Sequence, residues 1–253
     1  MRFRSLRLSL LLLALFPPLF AQEVFTVPII DKTEAGSPFD VVTAQATLTE
    51  TLQGNQLISA WGDRLSLKNI SGKAILLYVV RLQLIGRHNH GLRQGPGDGP
   101  TYFLTDDRFF NPSLIRPGET VVVRDSKPGT GQVQCCVNPL EPASNPQAEF
   151  AVTFVQFQDG SHFGDPSNVK DELAIRAAIL GGLRGLVTAY ARNGPRAFEN
   201  EAQQQAPWHN TSIFGQILGR YKQAGAESAI ALARETLAVA ESHEVAGAQL
   251  GTA

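Results

Sequence analysis

The chain has almost no disulfide chemistry to draw on: its two cysteines are neighbours, Cys135 and Cys136. Successive residues of a strand point to opposite faces, so this pair cannot staple two distant segments. A strand over 132–137 puts Val133, Cys135 and Val137 on the inward face and leaves Cys136 outward with Gln132 and Gln134. Cys136 is then a candidate thiol for an intermolecular disulfide, or the pair a vicinal redox element. The plainer alternative is one buried cysteine packing as a small hydrophobe. An excess of either charge is missing too. The formal net charge is −1, and removing Arg2, Arg4 and Arg7 takes it to −4. A basic footprint for nucleic acid is therefore absent. No G-x-S-x-G, HExxH or P-loop occurs, so no familiar catalytic constellation is written in the chain. No internal repeat stands out, and no cofactor is implied.

Long charge-free apolar runs are confined to the N-terminus. Arg2, Arg4 and Arg7 precede an apolar stretch over 8–16, and Pro17-Pro18-Leu19-Phe20-Ala21 leads to a cut before Gln22. This is the layout of an export signal, too short for an ordinary membrane helix. Residues 1–21 are read as a signal peptide, 22–166 as a β-domain and 167–253 as a helical region of about three helices with a frayed tail. The mature chain is expected to be secreted or periplasmic, with no membrane span.

Period-two patterning dominates up to residue 164. Residues 24–30 read as an edge strand, with Pro28 keeping them there. Val42, Ala44, Ala46 and Leu48 alternate with a threonine-rich face at Thr43, Thr47 and Thr49, as a half-buried strand does. Leu65 and Leu67 precede a turn at Asn69-Ile-Ser71-Gly-Lys73. A long strand over 74–85 follows, with Leu76, Tyr78, Val80, Leu82 and Leu84 on one face. Strands are also expected over 120–124 and 132–137. Phe150, Val152 and Phe154 alternate, and Val155 and Phe157 continue on the other parity. That switch calls for a bulge near Val155 or burial of both faces. Asp159-Gly160 is a hairpin signal, with His162 on the return strand either marking a candidate site or standing as a surface histidine of a structural hairpin. Asp165-Pro166-Ser167 suits a helix start.

Beyond Pro166 the period lengthens. Ile175, Ile179, Leu183, Leu186 and Tyr190 recur at helical spacing. Asn193-Gly194-Pro195 stops that helix. Gly181, Gly182 and Gly185 permit a close crossing, and Arg176 and Arg184 oppose a membrane reading. Residues 196–210 are polar and read as a connection. Ile213, Phe214, Ile217, Leu218 and Tyr221 mark a second helix ending at Gly225. Ile230, Ala233, Leu237 and Ala240 mark a third.

The run Leu65-Ser-Leu-Lys-Asn-Ile-Ser-Gly-Lys-Ala-Ile75, with Arg116-Pro-Gly-Glu-Thr120 leading into another strand, resembles immunoglobulin-like or fibronectin-type domains of secreted bacterial proteins. The resemblance covers about 24–164. It implies an antiparallel β-sandwich followed by the helices, an α+β chain, and no particular activity. The separated Cys…Trp…Cys arrangement of antibody domains is missing.

The loop 86–100 carries five glycines, two prolines and Arg87, His88, His90 and Arg93. A loop of this length points to function or disorder. Arginines and glycine amides there, with Tyr102 beside them, form a candidate ligand-binding loop for an anion or glycan. His88 and His90 are weak metal candidates. A zinc site needs a third protein ligand, for which Asp106, Asp107 and His162 qualify only by type. Tyr102, Phe103, Phe109 and Phe110 form either a partner platform or a core closure. Asn69-Ile-Ser71 and Asn210-Thr-Ser212 match a glycosylation pattern that a bacterial-looking signal makes uninformative.

The expected function is an exported, non-catalytic binding or structural protein contacting a protein or an envelope or glycan partner. One alternative is an extracytoplasmic hydrolase or metal-binding protein using residues 86–107. Another is redox or covalent assembly through Cys135-Cys136. N-terminal sequencing of the exported protein should begin at Gln22; a chain that still begins at Met1 would overturn the signal reading.

Overall fold

A computed structural model describes residues 22–53, 56–85, 101–127, 132–135, 145–205 and 212–250. The expected signal segment 1–21, the loop 86–100, Cys136 and Asn210 lie outside the described residues. Among the described residues nine strands come first: β1 (Gln22–Asp31), β2 (Phe39–Gln53), β3 (Gln56–Asn69), β4 (Ile75–Ile85), β5 (Thr101–Asp107), β6 (Thr120–Ser126), β7 (Gln132–Cys135), β8 (Gln147–Phe157) and β9 (His162–Gly164). A 3₁₀ turn, Pro166–Val169, leads into α1 (Lys170–Gln205) and α2 (Ser212–Leu250). The chain is therefore α+β.

The strands form one sheet in the order β5-β4-β8-β1-β2-β3-β6, with β7 on β3 and β9 on β8. Arg124 of β6 stacks 4.4 Å over the Tyr102 ring of β5. The two ends of the sheet thus meet through side chains, and the sheet curls almost into a barrel.

The pairing is mixed rather than purely antiparallel, and β1 is the reason. Its first part runs antiparallel to β2 over 22–28, and its last part runs parallel to β8 over 29–31. The change falls at Pro28, which has no N–H to give a ladder. β1 is therefore central, and Pro28 marks a change of partner rather than a sheet edge.

One apolar cluster fills the interior, including Val27, Ile29, Leu65, Leu67, Val80, Leu82, Phe150 and Val152. Each such side chain contributes about 1.5–3 kcal/mol by leaving water. Three bulges correct the expected alternation. In β4 the register shifts between Ile75 and Leu77, so Ile75 packs in the sheet's core with Tyr78 and Val80 and Leu76 leaves that face to pack with Phe109 and Leu180. In β2 the register shifts between Val41 and Thr43, so Val41 packs on the core and Val42 is 54% exposed. In β8 the partners pass from Phe154 to Val152, leaving Thr153 as the extra residue, two places before Val155. Both faces of β8 are also buried, because Phe154, with Leu77 and Val79 of β4, packs under Val169 of the 3₁₀ turn. Asp165 caps that turn by accepting from the Ser167 amide at 2.9 Å.

Asn69 is fully buried. Its Nδ2 donates to the carbonyls of Lys73 (2.9 Å) and Ile115 (3.1 Å), and its Oδ1 accepts from the Ser71 amide. The Asn69-Ile-Ser71 sequence is thus an internal turn lock, with its amide nitrogen engaged. Burial, reinforced by the charge of Asp106, pushes the Tyr78 phenol above the usual tyrosine range.

Each helix is broken once, at Gly194 (φ 73°) and Gly225 (φ 80°), a region that L side chains disfavour. Four helical arms result: 170–193, 195–205, 212–224 and 226–250. The arm 195–205 replaces part of the expected polar connection, because Phe198 and Ala202, four apart, are fully buried. They join Ile179, Leu183, Leu186, Phe214, Ile217 and Ile230 in a second core. The first arm is long and apolar enough to cross a membrane, within a span of mean hydropathy 1.3, of which a third is buried. Both of its interior arginines, Arg176 and Arg184, are bonded to carboxylates.

Gly164 (φ 81°) lies so near β8 that an added Cβ would sit 2.2 Å from the Thr153 carbonyl oxygen. Gly164→Ala should therefore cost about 3 kcal/mol, seen as a lower urea midpoint. An unchanged midpoint would mean that β9 yields freely.

Candidate functional site

Where β5 ends, the chain turns through Arg108 and Phe109 toward the helices. Asp107 fixes that turn by accepting from the Phe109 amide at 3.0 Å. The same carboxylate receives a fork from Arg176 of α1, with Nη2 at 2.8 Å and Nε at 3.2 Å. Bidentate pairs of this kind fix orientation as well as distance. The third side of the guanidinium is also engaged: Nη1 donates to Gln156 Oε1 of β8 at 3.0 Å. Its carbon lies 4.3 Å from the centre of the Phe109 ring, within cation–π range. One arginine therefore joins α1 to β5, to β8 and to the corner between sheet and helices.

The far end of α2 closes on the same corner. His243 Nδ1 lies 2.9 Å from the Phe109 carbonyl oxygen. A carbonyl only accepts, so Nδ1 carries the hydrogen, and Nε2 of the neutral ring is an acceptor. Leu76, Phe109, Leu180 and Ala240 pack together beneath these bonds. Beside them opens a cleft of about 370 Å³. Its apolar walls include Leu76, Phe109, Leu173, Ala177 and Leu180, and its polar lining includes Gln156, Arg176, His243 and Glu244. Glu244 is paired with Arg184 at 2.9 Å.

Arg176 and His243 were concealed by their surroundings in the sequence. The expected buried stripe began at Ile175, yet Ile175 is 48% exposed and Arg176 is 7% exposed. Arg176 stands three and four places before the buried Ile179 and Leu180, so it opens the true stripe. His243 continues the stripe Ile230, Ala233, Leu237 and Ala240 by one more step of three. That continuation is the signal that could have found it.

The other candidates have separate fates. Arg87, His88, His90 and Arg93 lie outside the described residues. Tyr102 is half-buried against the core and carries Arg124 on its ring. Arg124 Nε stands 2.5 Å from Asp63 Oδ2, an ion pair inside the closed end of the sheet. Asp106 pairs with Arg108 at 3.0 Å. His162 is exposed and stacks on Phe154, with ring centres 5.8 Å apart. Among the described residues no three His, Cys, Asp or Glu side chains gather to hold a metal ion. Cys135 lies on β7 opposite Gln56; its side chain and Cys136 are outside what is described.

Ser161 beside the cleft invites comparison with a nucleophile, since Lys73 Nζ is 2.9 Å from its Oγ. Lys73 is also 2.7 Å from Asp159, and hydrogen bonds from Lys73 and Ser161 hold the Asp159 carboxyl below its ordinary pKa. An ammonium engaged with a carboxylate cannot take a proton from serine. The trio is a turn lock. Comparison with protein families, curated proteins and solved structures gives no match.

Replacing Arg176 by Met keeps the length of the side chain and leaves Asp107 without its fork. The loss should be about 2–3 kcal/mol, moderated because Asp107 is a quarter exposed. Urea unfolding of Arg176→Met measures it, and a midpoint within error of the parent would show that the fork does not hold the seam.

Proposed function

We propose that this chain is an exported, non-catalytic binding protein of the secreted or periplasmic space, and that its partner, a protein or envelope component, enters the cleft between sheet and helices. The observation that carries the reading is the bonding state of the cleft. Its charged groups Arg176 and Glu244 are already bonded within the chain, while Gln156 and His243 each keep one hydrogen-bonding group without a described partner. His243 Nε2 is able to take a proton, but the described lining gives it no hydroxyl, thiol or unpaired carboxylate to work on, and acid–base or nucleophilic catalysis needs such a second group. Recognition needs apolar walls with a few oriented polar groups, which this cleft has.

The β-part is read as an immunoglobulin-like sandwich. Two hydrogen-bonded halves, β1-β2-β3-β6 and β1-β8-β4-β5, enclose one core, with β1 crossing between them. No membrane span in the mature chain and no nucleic-acid partner belong to the same reading; the carboxylate pairing of Arg176 and Arg184 in α1 supports the former.

A photo-crosslinking amino acid at Leu173, 38% exposed on the cleft, should give a discrete adduct in extracts of the producing cell's envelope. The same residue at Gln45, exposed on β2, should not. Equal adducts from both positions, or none from Leu173, would overturn the reading.

A further inference from the structure

We propose that the cleft receives an uncharged secondary amide flanked by an aliphatic group, the chemistry of an apolar peptide segment. This rests on the binding reading above and names the ligand class. A guanidinium only donates, so Arg176 Nη1 at 3.0 Å fixes Gln156 Oε1 as the acceptor. The Gln156 amide nitrogen is then a donor with no partner among the described residues. The Phe109 carbonyl likewise fixes His243 Nδ1 as a donor, which leaves Nε2 as an acceptor without a described partner. One free donor and one free acceptor line the same cleft. A secondary amide offers the complement, a carbonyl for Gln156 and an N–H for His243.

Charge narrows the class further. Arg176 faces the carboxylate of Asp107, and Glu244 faces Arg184. An anionic ligand would lose its water with no free cation to meet it, and Glu244 already shares Arg184 with Glu241, so a cationic ligand meets no bare carboxylate in the cleft. The walls then choose between two sources of the amide. An N-acetylated sugar would lay hydroxyl groups against Leu76, Phe109, Leu173 and Leu180, whereas a leucine-like side chain would bury apolar surface there. Gln158 at the rim offers both a donor and an acceptor to a chain passing outward. A volume of about 370 Å³ is at the small end for ligand sites and suits one or two residues.

The test is proton–nitrogen NMR of the 15N-labelled exported chain, titrated with N-acetyl-L-leucine N-methylamide. Saturable shifts are expected at the Gln156 side-chain amide and the Ala177 backbone, with Kd on the order of 1 mM for a probe of this size. The fully N-methylated analogue, with no N–H to give, should bind at least tenfold more weakly. Ala177→Trp, which fills the cleft from an exposed helix position, should weaken the parent probe at least tenfold. Equal binding of both probes, binding of N-acetylglucosamine in place of the leucine amide, or no shift at the cleft would each overturn the proposal. A Leu173 adduct with silent amide probes would reject the ligand class and leave the binding reading standing.

Discussion

The Arg176–Asp107 fork is the constraint on which the rest of the arrangement depends. A buried guanidinium is tolerated only when its donors are met. Here a carboxylate, a glutamine and a phenylalanine ring meet them from three places on the β-part. The first arm of α1 therefore has a defined rotation as well as a defined position against the sheet. That rotation puts Leu173 and Ala177 on the cleft, Leu180 in the packed seam and Ile175 toward solvent. It also leaves Gln156 and His243 with one hydrogen-bonding group each.

The seam is small beside the two cores it joins. The sheet has its own interior around Phe150 and Leu82, and the four helical arms have theirs around Phe198 and Phe214. Between them, among the described residues, stand two clusters of four buried side chains, one around Phe109 and one under Val169, and a few polar bonds. Direction at such a junction comes from bonds with fixed geometry. The fork and the histidine–carbonyl bond have that geometry, and both converge on Phe109.

Much of the β-part was legible because alternation reports burial directly. The runs around Leu65 and Leu67 and along β4 gave strands in the right places, and the parity change after Phe154 announced a bulge. The partner change of β1 was not legible, since Pro28 alone cannot distinguish an edge from a crossing point. The stop signals Asn193-Gly194-Pro195 and Gly225 gave the breaks in the helices, but the polar composition of 196–210 hid Phe198 and Ala202. The cleft was the least legible feature. Its two defining polar residues occupy positions on apolar stripes, where a charged or titratable side chain looks like an interruption. Such interruptions reveal a site only when the facing carboxylate or carbonyl is known, and those partners lie 69 and 134 residues away.

The divided loyalty of β1 orders events in time. Its first part can zip onto β2 as soon as some fifty residues of the chain are free. Its last part has to wait, because Ile29 is matched with Ala148. Pairings between such distant positions slow folding, so the joining of the two halves of the sheet through β1 and β8 is a late step. Until β8 arrives, Ile29, which the finished fold buries, is a sticky end, and whatever guards the emerging chain has to guard that end longest.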